Sequence, residues 1–411
     1  MTDTELPVSI ADVEAARDRL DDPSVVKRTP VERSTSLEAM TGAEEVRLKL
    51  EHLQWTGSFK TRGAYNKIKG CLEDGDLDGV VAASAGNHAQ GVALAATTLG
   101  VDSTIVMPTT APQTKIDATR GYGASVELVG QDFQAATAHA KELVAESDAE
   151  FVHAFDDPAI VAGQGTLGLE MVEDVPDADT VIVPIGGGGL ISGIATAFAE
   201  HSPETRIVGV QAEGAATVPD SLQKGSPRTL DSVDTIADGI ATGGISELTL
   251  SIIEAHVDEV VTVTDAEIAD AILLLMERAK QVVEGSGAAS VAALLSDDID
   301  VADETVLPLL CGGNLDMTML MEVVIHALTH RQQLLRLRIR IDDQPGKMEH
   351  ISGIIADHGA NIQTVRHDRA LPDLSVGEAY LVFRVETGGA EQAATIVDAI
   401  DAAGYDVDVV G

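Results

Sequence analysis

TVIVPIGGGGLISGIATAFA, residues 180–199, runs for roughly 20 positions without a charged side chain, which is the length of a membrane span. It also holds Pro184 and five glycines, Gly186, Gly187, Gly188, Gly189 and Gly193. Four consecutive glycines lose too much backbone freedom for one continuous helix to be favoured. The segment therefore reads as a strand over 180–185, a glycine turn, and a helix beginning ISGIATAFA. A wholly apolar strand feeding a helix is the building unit of a parallel sheet covered on both faces. The turn has a second meaning. Glycines let the backbone close around an anion, and the helix start behind them is electropositive. The bland alternative is a flexible glycine turn.

Working outward, the same alternation recurs. Val80-Val81-Ala82-Ala83 is a strand followed by SAGNH and an Ala-rich helix, and Ser103–Met107 is a strand stopped by Pro108. Residues 123–129, 206–210 and 305–310 continue the series. The expected fold class is α/β, two lobes with parallel sheets and a cleft between them, the smaller lobe spanning about residues 55–150. After residue 327 the character changes. In THRQQLLRLRIRIDD, Leu335, Leu337, Ile339 and Ile341 alternate with Arg336, Arg338 and Arg340, a strand with one buried face. A helix striped by Met348, Ile351, Ile354 and Ile355 comes next, then strands near 361–367 and 378–385. A helix carrying Ile396, Val397 and Ile400 and a last strand near 406–410 follow. The order βαββαβ predicts an α+β unit, an antiparallel sheet with two helices on one face. The boundary is expected near His330, giving domains 1–330 and 331–411.

The 411 residues include 67 acidic and 27 basic side chains, a formal charge of −40. That excludes a general nucleic-acid binder, which needs a basic face. The acids are spread along the chain rather than gathered in a tail, so the protein is expected to need concentrated salt to screen its own repulsion. Aromatics make up only 3%, so the core must be built of Ala, Val, Ile and Leu. Cys71 and Cys311 are too few for a disulfide framework. The opening MTDTELPVSI has no basic, apolar leader. The expectation is a cytoplasmic protein with neither membrane nor nucleic-acid partners.

Three loops carry chemistry. In Ser58-Phe59-Lys60, the lysine sits beside Phe59, Gly57 and Ala64 rather than in a charged run. A desolvated lysine has a lowered pKa and serves as a nucleophile or Schiff-base former, although most lysines are merely solvated. In Ser84-Ala85-Gly86-Asn87-His88, a strand-to-helix junction offers backbone N–H groups to a carboxylate or phosphate. The plain reading there is a turn capped by Ser84 or Asn87. The third loop is the glycine turn. It lacks GxGxxG, which argues against a dinucleotide enzyme, and it lacks the P-loop lysine, so a small phosphorylated cofactor suits it better.

SFKTRGA (58–64), SAGNHAQG (84–91) and GGGGL (186–190), in this order and spacing, resemble the threonine ammonia-lyase (threonine dehydratase) branch of the tryptophan-synthase-β-like enzymes of pyridoxal 5'-phosphate (PLP). RTPVERSTSL (28–37), IADGIAT (236–242), VEGSGAAS (283–290) and CGGN (311–314) add to the resemblance, which covers roughly residues 28–327. It implies PLP held as a Schiff base on Lys60, with Phe59 beside it. Gly186, Gly187, Gly188, Gly189 and Leu190 would take the phosphate, and Asn87 the phenolic oxygen. Gly239 and Glu284 would lie near the ring. Cys311 would face the pyridine nitrogen, where many relatives have serine. Ser84, Ala85, Gly86, Asn87 and His88 would bind the substrate carboxylate through backbone amides. The freed Lys60 amine would remove the α-proton, the β-hydroxyl would leave with help from the cofactor phosphate, and hydrolysis would give 2-oxobutanoate from threonine or pyruvate from serine. Racemases of this group carry a second serine where this chain has Ala85, and metal-binding carboxylates where it has Gln211 and Thr217, so neither racemisation nor such a metal site is expected. Serine dehydratase and β-replacing relatives are the near alternatives. A non-enzymatic amino-acid sensor is the distant one, opposed by the intact Lys60 and Asn87.

The C-terminal pattern resembles an ACT domain. That implies an isoleucine or valine effector at Asp343, Gly346, Asn361 and Ile362, and pairing into a homo-oligomer, a dimer or tetramer. An ACT-like pairing domain without a ligand is the alternative. From the charge alone, dialysis into dilute buffer is expected to inactivate the protein; activity unchanged by that treatment would count against the salt requirement.

Overall fold

Uncharged runs of Val, Ile and Leu become the central strands because only strands buried on both faces can use them. The computed structural model describes residues 6–75 and 77–410. Its larger sheet has the order Val31–Arg33, Glu45–Lys49, Thr305–Pro308, Thr180–Pro184, Arg206–Ala212, Glu259–Val263. Every pairing in it is parallel except the first. The smaller sheet runs Ser125–Leu128, Ser103–Met107, Val80–Ala83, Glu150–Phe151, all parallel. The uncharged stretch at 180–199 divides as expected into the strand Thr180–Pro184 and the helix Gly189–His201. Among the described residues no helix is long and apolar enough to cross a membrane.

The cores match the composition. The larger one gathers Val181, Val183, Ile185, Ile191, Ile194 and Leu307 around only two phenylalanines, Phe59 and Phe198. The smaller lobe packs Ala82, Ala89, Val92, Ala93 and Ile105 against Ala64, Tyr65 and Ile68 of the helix Lys60–Asp74. That second cluster fixes the lysine-bearing helix to the small sheet.

Charge is also buried in this unit. Arg62 and Glu51 are fully enclosed, and Arg62 donates through Nε (2.7 Å) and Nη2 (3.2 Å) to the two oxygens of Glu51. Its Nη1 reaches Glu170 at 2.8 Å. Lys49, also enclosed, donates to Glu170 at 3.0 Å, Asp174 at 2.9 Å and the Thr29 carbonyl at 2.8 Å. Arg28 closes the group on Asp174. The cluster ties the strand Glu45–Lys49, the start of the helix Lys60–Asp74 and the helix Pro158–Asp174 into one body.

The chain divides into two compact units, Met1–Leu315 and Asp316–Gly411, which corrects the boundary expected near His330. The helix Met317–His330 belongs with the C-terminal unit because it packs on the strand Leu334–Asp342. That unit has the predicted βαββαβ order: Leu334–Asp342, Lys347–Asp357, Asn361–Asp368, Glu378–Glu386, Ala390–Ala402, Asp406–Val409. Its sheet is antiparallel, in the order Asn361–Asp368, Glu378–Glu386, Leu334–Asp342, Asp406–Val409. Leu335, Leu337, Ile339 and Ile341 face a core made with Ile351, Ile355, Ile396 and Ile400. Met348, expected in the helix stripe, is exposed instead.

Removing one partner from the buried cluster strands a charge without water. Glu51→Gln is therefore expected to cost roughly 3–5 kcal/mol of stability, read as a lowered urea midpoint of the purified protein; an unchanged midpoint would show that the cluster is not holding the unit together.

Candidate active site

Lys60 begins its helix directly after Phe59, whose N–H donates to the carbonyl of Cys311 at 3.4 Å, and Ser58 bridges to Gly312. The lysine is thereby sewn to the segment 311–314 from the far end of the unit. Lys60 Nζ donates to the Ala154 carbonyl at 3.2 Å and lies 4.9 Å from the centre of the Phe59 ring. The residue is half-buried but its amine is enclosed. Burial pulls the pKa down to about 8, and the acidic neighbours Cys311 and Glu284 oppose the fall.

The loop at 84–88 enters the helix Asn87–Leu99 at Gly86, which has no side-chain cap. Ser84 Oγ instead accepts from the Gly86 N–H at 3.2 Å. Asn87 is free to do something else. Its Nδ2 donates to Glu284 Oε1 at 2.7 Å, and its Oδ1 accepts from Asn314 Nδ2 at 2.8 Å. That acceptor fixes the amide's orientation, because a flipped Asn87 would set two donors together. The Glu284 Oε1 also accepts from Ser286 Oγ at 2.6 Å. Burial raises the Glu284 pKa, and these two hydrogen bonds pull it back. His88 turns away: its Nε2–H donates to the Val152 carbonyl at 2.9 Å, and burial, then the charge of Lys60, holds its pKa down to about 3. It is a neutral, structural side chain, so only its backbone is available to a ligand.

The glycine turn is where no side chain fits. Gly188 has φ +90°, and a Cβ on Gly187 would overlap the Phe155 ring. Thr249 Oγ1 donates to the Gly187 carbonyl at 3.0 Å and secures the turn. Gly186 lies against Ile240 and Gly239, and Gly239 against Ser286 and Glu284. A Cβ on Gly312 would run into the Glu284 carboxylate. Cys311 is buried with its Sγ 3.4 Å from the Ser286 carbonyl, and burial pushes its thiol pKa up to about 12, so it stays uncharged. Lys60, Phe59, Asn87, Gly239, Glu284, Cys311 and the glycine turn are thus neighbours in one connected cluster. Leu190 follows on the first turn of the helix Gly189–His201.

A backbone cradle at a helix start suits a phosphate, and an enclosed amine of lowered pKa suits a carbonyl. Residues 24–312 match the family described as pyridoxal-phosphate dependent enzyme. Over 404 residues the chain is 43% identical to an L-threonine ammonia-lyase of Thermotoga maritima, covering 98% of this chain and all of that one. The chain belongs to the threonine ammonia-lyase family of PLP-dependent enzymes. Solved structures similar to this ammonia-lyase fold include processed threonine deaminase isoform 2 of Solanum lycopersicum, with TM-score 0.73, 38% identity, 77% of this chain and 92% of that one. Maize serine racemase is also similar, with TM-score 0.73, 36% identity, 79% of this chain and 99% of that one. In this member of the ammonia-lyase family, Gln211 Oε1 accepts from the N–H groups of Thr217 at 2.9 Å and Val218 at 2.8 Å, closing the loop where racemases were expected to carry metal-binding carboxylates.

Sequence reasoning missed several lining residues. Ser286 and Asn314 lie inside the blocks VEGSGAAS and CGGN, whose resemblance assigns them no role. Phe155 and Thr249 carried no local signal, although Phe155 is one of only six phenylalanines in the chain. In the C-terminal unit, Gly346 (φ +90°) precedes the helix Lys347–Asp357 as expected. Two of the side chains expected at an effector site are already engaged there: Asp343 with Arg369 at 3.2 Å and His367 at 3.2 Å, and Asn361 with Glu386 at 3.0 Å. Ile362 is packed against the core of that unit.

Gly187→Ala is expected to lower PLP retention at least tenfold, measured by cofactor absorbance after gel filtration. Adding Phe155→Ala, which removes the obstructing ring, should restore part of it; no rescue would mean that the clash is not the cause. A neutral amine is what captures a carbonyl, so the rate of PLP capture by apoenzyme should rise with pH and level off above about 8. A rate still climbing through pH 10 would mark Lys60 as an ordinary solvated lysine.

Proposed function

We propose that the chain deaminates L-threonine to 2-oxobutanoate and ammonia, and L-serine to pyruvate, with Lys60 as the catalytic group. The observation that carries this reading is the enclosed Lys60 amine in one cluster with the glycine turn. When bound, PLP supplies an electron sink for the charge left on the substrate α-carbon. Gly186, Gly187, Gly188, Gly189 and Leu190 would hold its phosphate at the start of the helix Gly189–His201. Asn87 has one N–H committed to Glu284 and a second to offer the phenolic oxygen, with Asn314 and Glu284 keeping the amide from rotating. The N–H groups around Ser84, Ala85, Gly86, Asn87 and His88 take the substrate carboxylate. Lys60 Nζ, neutral at pH near 8, would accept the α-proton of a substrate held there. Cys311, with its uncharged thiol, would be the partner of the ring nitrogen. A neutral partner there would draw less charge into the ring than a carboxylate partner would, which suits elimination better than transamination. Ala85, without a hydroxyl, offers no proton on the opposite face, which argues for elimination over racemisation.

For the C-terminal unit the same reading assigns an ACT module that binds isoleucine or valine at the turn before the helix Lys347–Asp357, in a cytoplasmic homo-oligomer. The backbone of Gly346 supports it more than Asp343 or Asn361, whose side chains are engaged.

The deciding measurement is 2-oxo acid release from L-threonine and L-serine by purified protein with PLP in molar KCl. Threonine is expected to give 2-oxobutanoate, and Lys60→Ala to lose at least a thousandfold in rate. Bound PLP with no 2-oxo acid from either substrate would overturn the reaction. Calorimetry of the full chain with isoleucine and with valine is expected to show saturable heat for at least one; none from either would leave the C-terminal unit a pairing domain.

A further inference from the structure

Strand register in the C-terminal sheet sets Arg336 directly opposite Arg384. Both lie on the face turned away from the core, which takes Leu335, Leu337, Phe383 and Val385 on the other side. Side chains opposite each other in an antiparallel ladder start about 5 Å apart, and like charges in that position repel. The other arginines of this face have partners: Arg338 with Asp408 at 2.9 Å, Arg340 with Glu378 at 2.6 Å, and Arg366 with Asp368 at 2.8 Å. Among the described residues, no carboxylate makes an ion pair with Arg336 or Arg384. Carboxylates outnumber cations 67 to 27 in this chain, so two adjacent guanidiniums left clear of them need a reason.

They line a pocket of about 400 Å³. Ile325 of the helix Met317–His330 and Leu334, Val382 and Val410 supply apolar walls, and Thr364 lies beside Arg384 in the ladder. Thr329, also in the wall, already spends its hydroxyl hydrogen on the Ile325 carbonyl at 2.8 Å. Thr364 is therefore the hydroxyl left to donate.

We propose that this pocket binds a small dianion, a phosphate monoester or a short dicarboxylate, held between Arg336 and Arg384 with its apolar body on Val382 and Leu334. Guanidinium forks match the paired oxygens of both groups, and a dianion removes the repulsion between the two arginines. The volume lies within the usual range for small-molecule sites. An α-amino acid does not suit it, because its ammonium would sit against the same guanidiniums. The site is thus distinct from the turn at Gly346. Arg336 and Asp342 are six residues apart on one strand, roughly 20 Å.

The test uses full-length holoenzyme, in which PLP already fills the glycine turn, with KCl holding ionic strength constant. Inorganic phosphate at pH 8 and succinate are titrated separately, by calorimetry and by thermal midpoint. At least one is expected to bind saturably and raise the midpoint beyond KCl alone. A response to phosphate identifies a phosphate ester as the ligand class, and a response to succinate a dicarboxylate. Arg336→Gln and Arg384→Gln should each weaken binding at least tenfold while leaving the ligand-free midpoint unchanged or higher, because each relieves a repulsion. Arg338→Gln, whose parent is paired with Asp408, should bind as wild type. Absence of saturable binding by both probes, or equal affinity in the Arg336 and Arg384 variants, overturns the proposal.

Discussion

A guanidinium with no access to water sits two residues beyond the lysine proposed as the catalytic group. Arg62 has both oxygens of Glu51 on one side and Glu170 on another, and Lys49 shares Glu170 from behind. Such a cluster is a poor source of net stability, because desolvation consumes much of what attraction supplies. What it supplies is a single answer to where the elements go. Any shift of the helix Lys60–Asp74 along its axis would pull a fork off its carboxylate in a medium that offers no substitute. The backbone of Lys60 is therefore fixed by electrostatics from one side and by the bond between Phe59 and Cys311 from the other. Only the side chain of the lysine is left to move.

The same division of labour runs through the site. Asn87, Glu284, Ser286 and Asn314 bond mainly to one another, so the groups proposed to meet a ligand are held in place by the fold itself. Preorganised donors need no rearrangement at the moment of reaction, which is the main way a protein adds rate to chemistry that its cofactor already performs.

The sequence made the central strands legible because burial on both faces leaves a wholly apolar run. Edge strands have no such signature. Val31–Arg33 and Glu150–Phe151 are too short to show a period, and Glu45–Lys49, although paired on both sides, alternates charge with apolar residues. The boundary was misplaced for a related reason: the helix Met317–His330 has an apolar stripe that shows that it packs, but not on what. Lys60, Asn87, Cys311 and the glycine turn were readable because their neighbours in the chain form ordered blocks. Phe155 was not, since its meaning lies in a contact with Gly187 that only the fold creates. Nothing in the sequence around Lys49, Glu51 and Glu170 marks them as buried, because Glu170 meets Arg62 and Lys49 across more than a hundred positions and such pairing leaves no local trace.

Cys311 has a consequence for selective chemistry at this site. Sulfur reacts with electrophiles and peroxides as thiolate, and a thiol held near pKa 12 inside the core offers almost none at neutral pH. The half-buried Cys71, far along the helix from Lys60, is the more accessible sulfur. A covalent reagent aimed at thiols would thus decorate the outside of the small lobe and leave the reaction centre intact. The centre can carry a cysteine where a serine would serve, without becoming a point of oxidative failure.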